Sequence, residues 1–195
     1  MNRLFAFGLL LVLGQTGAAQ STPPNPFTSD IRRDYRGVRD YFIRAAEKMP
    51  EDKYLFRPSP DVRTFAQQVA HVADDQYNLC APAKGEHRQA PYTDIESRLS
   101  KKADLVVALK DAFAYCDAVY DTMTDSTSLE PSSGMQGRSK FSYLNWNLWH
   151  TWEHYGNIVV YLRMNGLVPP SSEKQPAPAA KPPTIEDGRG DRPTM

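Results

Sequence analysis

The sequence predicts an all-α protein, a four-helix bundle, and three observations carry that reading. Apolar residues recur with helical period in separate segments; the central region lacks the period-2 alternation of a strand; and clusters of Pro, Gly and Ser divide it into four helical stretches. With 195 residues and 41% hydrophobic content the chain can form one domain with a sizeable core, which excludes a large multidomain enzyme. Its 23 Lys+Arg balance 23 Asp+Glu, so the basic footprint that phosphate neutralisation needs is missing and no nucleic-acid partner is expected.

Both ends read as lying outside the bundle. Residues 1–19 place Arg3 before the apolar run 4–13 and end in Gly17-Ala18-Ala19, the order of a secretory signal peptide cleaved near Ala19. The run is about ten residues where a bilayer span takes ~20, so no stable membrane anchor is expected after cleavage, and the product is periplasmic or secreted. No cysteine near that point would carry a lipid. Residues 20–28 contain Pro23, Pro24 and Pro26 and read as an extended lead-in, which leaves 29–170 for the bundle. From 171 to 195 the chain is Ser, Pro, Ala and charge, too poor in large apolar residues to offset the entropy of ordering, and reads as a disordered tail. Its Arg189-Gly190-Asp191 matches an adhesion tripeptide, a string short enough to arise by chance.

The first helix is expected from a cap near Ser29 to Pro50, because Ile31, Tyr35, Val38, Phe42, Ala45 and Met49 form one stripe. Thr64-Phe65-Ala66-Gln67 has the form of a capping box, so the second starts at about residue 65 and runs to the break at Pro82-Ala83-Lys84-Gly85. A polar stretch follows, and Ser100 offers the next cap. Beyond it Leu105, Leu109, Ala112, Cys116, Val119 and Met123 repeat the stripe in the third helix. Residues 125–137 read as a loop, and the fourth helix runs from about Ser139 to Asn165, with Gly166 placed for a left-handed cap and Pro169-Pro170 beyond. The connection between helices two and three, about 15 residues, could stretch ~50 Å, whereas a helix of 18 residues is only ~27 Å long. The two central helices are therefore permitted, not required, to run parallel.

Four histidines are present, His71, His87, His150 and His154. His150 and His154 stand at i and i+4 on the fourth helix, the spacing that lets two imidazoles bind one metal, although a pair packed among Trp146, Trp149, Trp152 and Tyr155 could equally be structural. His71 lies near the middle of helix two beside the core position Val72, at a comparable height. Three imidazoles at one level suit Zn²⁺, Ni²⁺ or a similar ion and leave coordination positions open. His87, in the polar connection, reads as solvated. Asp75, at i+4 from His71, could orient the imidazole or act as a general base, or could be a solvated carboxylate; Glu153 is turned about 100° from the face of His154 and is left out.

Two longer stretches resemble the DinB-like superfamily. One is Met49-Pro50-Glu51-Asp52-Lys53-Tyr54-Leu55-Phe56-Arg57-Pro58, followed by Thr64-Phe65-Ala66-Gln67-Gln68-Val69-Ala70-His71-Val72-Ala73. The other is His150-Thr151-Trp152-Glu153-His154-Tyr155-Gly156-Asn157, with Tyr161-Leu162-Arg163, Gly166 and Pro169-Pro170 behind it, so that the likeness covers about residues 30–170. It implies a four-helix bundle with parallel central helices, up-down-down-up, and a divalent ion held by one His of helix two and two of helix four: here His71, His150 and His154. Where the family commonly shows H-R-G-Q, this chain has His154-Tyr155-Gly156-Asn157, so the histidine is kept and the Arg is absent.

The resemblance implies either a thiol-dependent transferase or isomerase, or a metal-dependent hydrolase. A neutral three-His site with an open position can bring the pKa of a water or thiol toward ~7 and create a nucleophile. The cofactor thiols of the family are cytoplasmic, so export favours hydrolysis of a small-molecule substrate; a bundle that binds a metal or ligand without turnover stays open, as does a homodimer. The two cysteines carry one more expectation. Cys80 lies sixteen residues after Thr64 and Cys116 sixteen after Ser100, so parallel central helices would set the sulfurs at one height, where an oxidising compartment could bridge them.

Overall fold

A computed structural model describes residues 24–87 and 94–174. The expected signal peptide, the first part of the lead-in (20–23), and residues 175–195 with the Arg-Gly-Asp string lie outside the described residues. Helix α1 spans Pro26–Lys48, α2 Phe65–Lys84, the one-turn α3 Ile95–Arg98, α4 Lys102–Thr122, the one-turn α5 Asp125–Ser128 and α6 Lys140–Met164. The four long helices are the four expected; the short ones fall where the sequence reads as polar connection and loop.

The α1 stripe is buried from Ile31 to Met49, and the α4 stripe from Leu105 to Met123. At the start of α2 the Thr64 hydroxyl accepts from the Gln67 N–H and the Gln67 carbonyl oxygen from the Thr64 N–H, the reciprocal pair of a capping box. Ser139 caps α6 through the Ser142 N–H, and Gly85 and Gly166 take left-handed φ of 91° and 71° just past α2 and α6.

Three boundaries differ from expectation, each because a side chain distant in sequence binds there. α1 begins at Pro26 rather than near Ser29: proline is tolerated at a first helical position, and the Asp125 carboxylate accepts from the N–H groups of Phe27 (3.3 Å) and Thr28 (2.9 Å). α4 begins after Lys101, not Ser100, and the Lys102 N–H donates to Glu51 at 3.2 Å. The tail's first residues are ordered against the bundle: Pro170–Ser172 form a 3-10 turn, the Ser171 N–H donates to the Tyr155 hydroxyl at 2.9 Å, and Glu173 pairs with both Arg44 and Lys48.

Helix directions follow from contacts at both ends. Tyr35, near the start of α1, stacks on Tyr120 near the end of α4 with centroids 3.9 Å apart, while Lys102 Nζ at the start of α4 donates to the carbonyls of Glu47 and Met49 at the end of α1. The Arg63 carbonyl, beside the start of α2, accepts from the hydroxyl of Tyr161 near the end of α6, and Gln76 further along α2 meets Asn147 near the start of α6. α2 and α4 run parallel. Phe65, at the start of α2, packs edge-on to Tyr54, whose ring lies beneath Lys102, and at the other end Cys80 and Cys116 form a disulfide with Cα atoms 5.5 Å apart. The bundle is up-down-down-up. Among the described residues no helix is long and apolar enough to cross a membrane.

Candidate metal centre

Gln68, His71 and Asp75 are spaced 3 and 4 along α2, so they share one face of it, as His150 and His154 do on the antiparallel α6. A buried amide network fixes how these faces meet. Asn147 donates to the Gln76 carbonyl oxygen (2.9 Å), the Gln76 amide donates to the Thr151 hydroxyl (3.2 Å), and the Tyr120 hydroxyl reaches Asn147 Oδ1 (3.1 Å). A slip of one turn would leave these groups unpaired, so the network holds the α2–α6 register that brings the histidines together.

His71, Asp75, His150 and His154 each offer one ligand atom, and these atoms all lie within 4.8 Å of one another. The ring of His154 is centred 4.6 Å from that of His71 and 4.5 Å from that of His150. His154 is only 6% exposed, whereas the other three keep a partly open edge. The four residues form a group that could hold a metal ion. Asp75 enters it as a candidate ligand, and its Oδ2 approaches His71 Nε2 (2.9 Å) and His150 Nδ1 (3.5 Å). His87 and Glu153 are exposed and not in this group.

The donor set fits a cation better than it fits itself. The Gln68 carbonyl oxygen accepts from His154 Nδ1–H at 2.8 Å, which leaves the lone pair on His154 Nε2 facing His150 Nε2 at 3.1 Å. A neutral His150 has one ring proton. Placed on Nε2 it satisfies His154 but turns a lone pair toward the Asp75 carboxylate; placed on Nδ1 it satisfies Asp75 but sets two lone pairs face to face. Protonating both nitrogens is opposed: burial, reinforced by His71, holds the His150 pKa below its ordinary value despite Asp75. Burial, then His150 and His71, push that of His154 down to about 4. On Asp75 burial acts upward, but hydrogen bonds from His71 and Asn78 and the nearby imidazoles outweigh it and keep the carboxyl below its usual value. At His150, His154 and Asp75, neutral imidazoles beside an ionised carboxylate are the protonation states that metal ligation requires.

Two contributors escaped the sequence reading. Gln68 lies three residues before His71, a helical spacing that could have flagged it. Glu96 lies in the polar connection and reaches His71 Nδ1 at 3.6 Å because Asp74 on α2 accepts from the backbone N–H groups of Ile95 and Glu96, both at 3.0 Å. No local pattern announces that arrangement. Tyr155, where the family's Arg would stand, is buried toward α1, against Tyr41 and Phe42.

An up-down-down-up bundle with three histidines and a carboxylate gathered between its second and last long helices defines a class of candidate metalloprotein. The chain belongs to the DinB superfamily, whose family model matches residues 34–189. A DinB-like protein from Bacillus cereus ATCC 10987 is similar in structure (TM-score 0.62, 13% identity, covering 73% of this chain and 95% of that one). A DinB-like protein from Bacillus subtilis gives a TM-score of 0.58 at 20% identity, over 70% of this chain and 92% of that one. The mycothiol-dependent maleylpyruvate isomerase gives 0.54 at 18% identity, over 70% of this chain and 66% of that one. At these identities the likeness is one of fold. No curated protein matches the sequence.

Proposed function

We propose that this chain is an exported DinB-superfamily protein that holds one divalent ion, Zn²⁺ or Ni²⁺, through His71, His150 and His154, and uses it to hydrolyse a small substrate. The observation that carries the reading is the convergence of three ring nitrogens and the Asp75 carboxylate within 4.8 Å. Bound there, the ion would supply a Lewis acid able to make water or a thiol nucleophilic near neutral pH. The chain's own residues do the rest. Gln68 keeps the His154 proton on Nδ1 and so keeps Nε2 available. Asp75, ionised and in reach of two imidazoles, either completes the ligand set or takes a proton at Oδ2 as general base.

A thiol-dependent transferase or isomerase is the second reading, and the shared fold with the mycothiol-dependent isomerase favours it. The Cys80–Cys116 disulfide weighs on the other side, since a bridge of this kind persists in the oxidising compartments to which a signal peptide leads. The test is metal analysis of the purified mature protein before and after chelation, with an ester and phosphoester screen. About one ion per chain is expected, lost in the H150A/H154A double variant, with any hydrolysis lost on chelation and restored by metal. Full stoichiometry in the double variant would overturn the assignment. Activity that required an added low-molecular-weight thiol would favour the second reading.

A further inference from the structure

His71 stands between two carboxylates, one at each ring nitrogen: Asp75 Oδ2 lies 2.9 Å from Nε2, and Glu96 Oε2 lies 3.6 Å from Nδ1. Glu96 is held from three directions. Its other oxygen pairs with Arg63 Nε at 3.0 Å, and the Arg63 carbonyl is in turn bound by the Tyr161 hydroxyl of α6. Its backbone N–H, with that of Ile95, donates to Asp74, and the Ile95 side chain is buried in the core. The carboxylate is thus fixed against the outer side of the His71 ring by both helices that build the metal centre.

A neutral imidazole carries one ring proton. While His71 Nε2–H donates to Asp75, Nε2 has no lone pair to offer an ion. We propose that Glu96 is a positioning residue for the metal centre, holding the Nδ1 proton of His71 so that Nε2 faces the ion and Asp75 is released from its histidine. The change from one neutral form to the other is balanced: Nε2 gives a proton to solvent and Nδ1 takes one back. Carboxylates that receive the second N–H of a ligating histidine fix its tautomer and orientation and raise its basicity. This inference rests on the proposed metal site and adds that the connection between α2 and α4 belongs to it.

The test uses the full mature chain. Co²⁺ is titrated into wild type, E96A and E96Q, the metal-free proteins are melted, and the ring nitrogens of His71 are assigned by long-range ¹H–¹⁵N correlation in the Zn²⁺-loaded form. E96A is expected to weaken Co²⁺ binding roughly 10–100-fold with little change in metal-free melting. E96Q, which keeps a carbonyl acceptor for Nδ1–H, recovers part of that loss. In loaded wild type the Nδ1 of His71 is protonated and Nε2 is the ligand. Co²⁺ affinity in E96A within twofold of wild type, ligation through Nδ1, or an equal loss in both variants with lower metal-free melting would each overturn the inference. Wild type that bound no Co²⁺ at all would overturn the metal reading itself, a result distinct from any of these.

Discussion

Two polar clusters lie about one turn apart between α2 and α6, and they are built on opposite principles. In the inner one, Gln76, Asn147, Thr151 and Tyr120 are fully buried, and each amide or hydroxyl donor meets an acceptor within 3.2 Å. In the outer one, His71, Asp75, His150 and His154 share too few protons to satisfy their acceptors, as the facing His150 and His154 nitrogens show. A buried polar network that closes on itself fixes one register and needs nothing more. A cluster of the same size left unresolved, at a partly open edge, is a place where an outside cation gains more than the protein's own groups can offer. Neighbouring residues on the same two helices thus divide the work: Gln76 and Asn147 set the register, and Asp75 and His150 use it.

The largest effect expected from breaking this arrangement belongs to the disulfide, which adjoins the inner cluster: Cys116 Sγ lies 3.2 Å from the backbone carbonyl oxygen of Gln76. The bridge joins positions 36 residues apart in sequence. In the chain-entropy model closing such a loop stabilises by roughly 3–4 kcal/mol. Denaturant titration of the C80S/C116S variant should show a loss of that order, with metal stoichiometry kept under native conditions. A thiol count on denatured, unreduced protein that found two reactive thiols would remove the premise.

Next comes the direct contrast between the clusters. N147A strips the donor from Gln76 Oε1 in a closed interior, while the Tyr120 hydroxyl keeps its bond to the Leu144 carbonyl, and we expect a cost of ~2–3 kcal/mol in chemical denaturation. H150A removes a ring whose single proton cannot satisfy both His154 and Asp75, at a partly open edge, and metal-free stability should stay within ~0.5 kcal/mol of wild type while metal binding drops sharply. A metal-free H150A protein destabilised as much as N147A would show that the histidines are structural and would erase the distinction.

The contrast also explains what the sequence could disclose. The pairs His150/His154 and His71/Asp75 were legible because their spacing is local and helical, as were the amphipathic stripes of α1 and α4, whereas joining His71 to the α6 pair needed its mid-helix height and the family resemblance. The Cys80–Cys116 register followed from equal distances to two caps, and survives although α4 is capped at Lys101 rather than Ser100. Contacts that cross the fold were not legible: Asp125 starting α1 from 97 residues away, Glu51 capping α4, and Asp74 pulling Glu96 back over His71. Each uses a side chain whose partner is set by topology, so a window along the chain contains only half of the interaction.

A smaller effect separates the clusters by pH, since the inner one contains no group that titrates near neutrality. The pKa of His154 is pushed down to about 4 by burial and its neighbours, and that of His150 is also lowered. An unfolded histidine takes up its proton near pH ~6.5. The unfolded state therefore binds more protons than the folded state below that pH, so metal-free stability falls as pH drops from about 6.5 through the folded value. Melting of metal-free wild type between pH 7 and 4.5 should show this slope, and H150A/H154A should flatten it. Equal slopes in the two proteins would mean that the histidines are not the groups responsible.

The smallest effect is expected from shortening the C-terminal end of the chain. Deleting residues 175–195 should leave melting and metal content unchanged, since that stretch is rich in Pro, Ala and charge and too poor in large apolar residues to dock on a bundle. Deleting 171–195 also removes the Ser171 bond to Tyr155 and the pairing of Glu173 with Arg44 and Lys48. Those side chains are partly solvent-exposed, and ion pairs in that setting contribute little because water and salt screen them. A drop of no more than ~2 °C in Tm, shrinking with added salt, is the expected result. A drop several times larger and insensitive to salt would make the docked turn a structural strap across α1 and α6. Tyr155 would then be what it fastens to, which would give the residue standing in place of the family's arginine a role in holding the bundle shut.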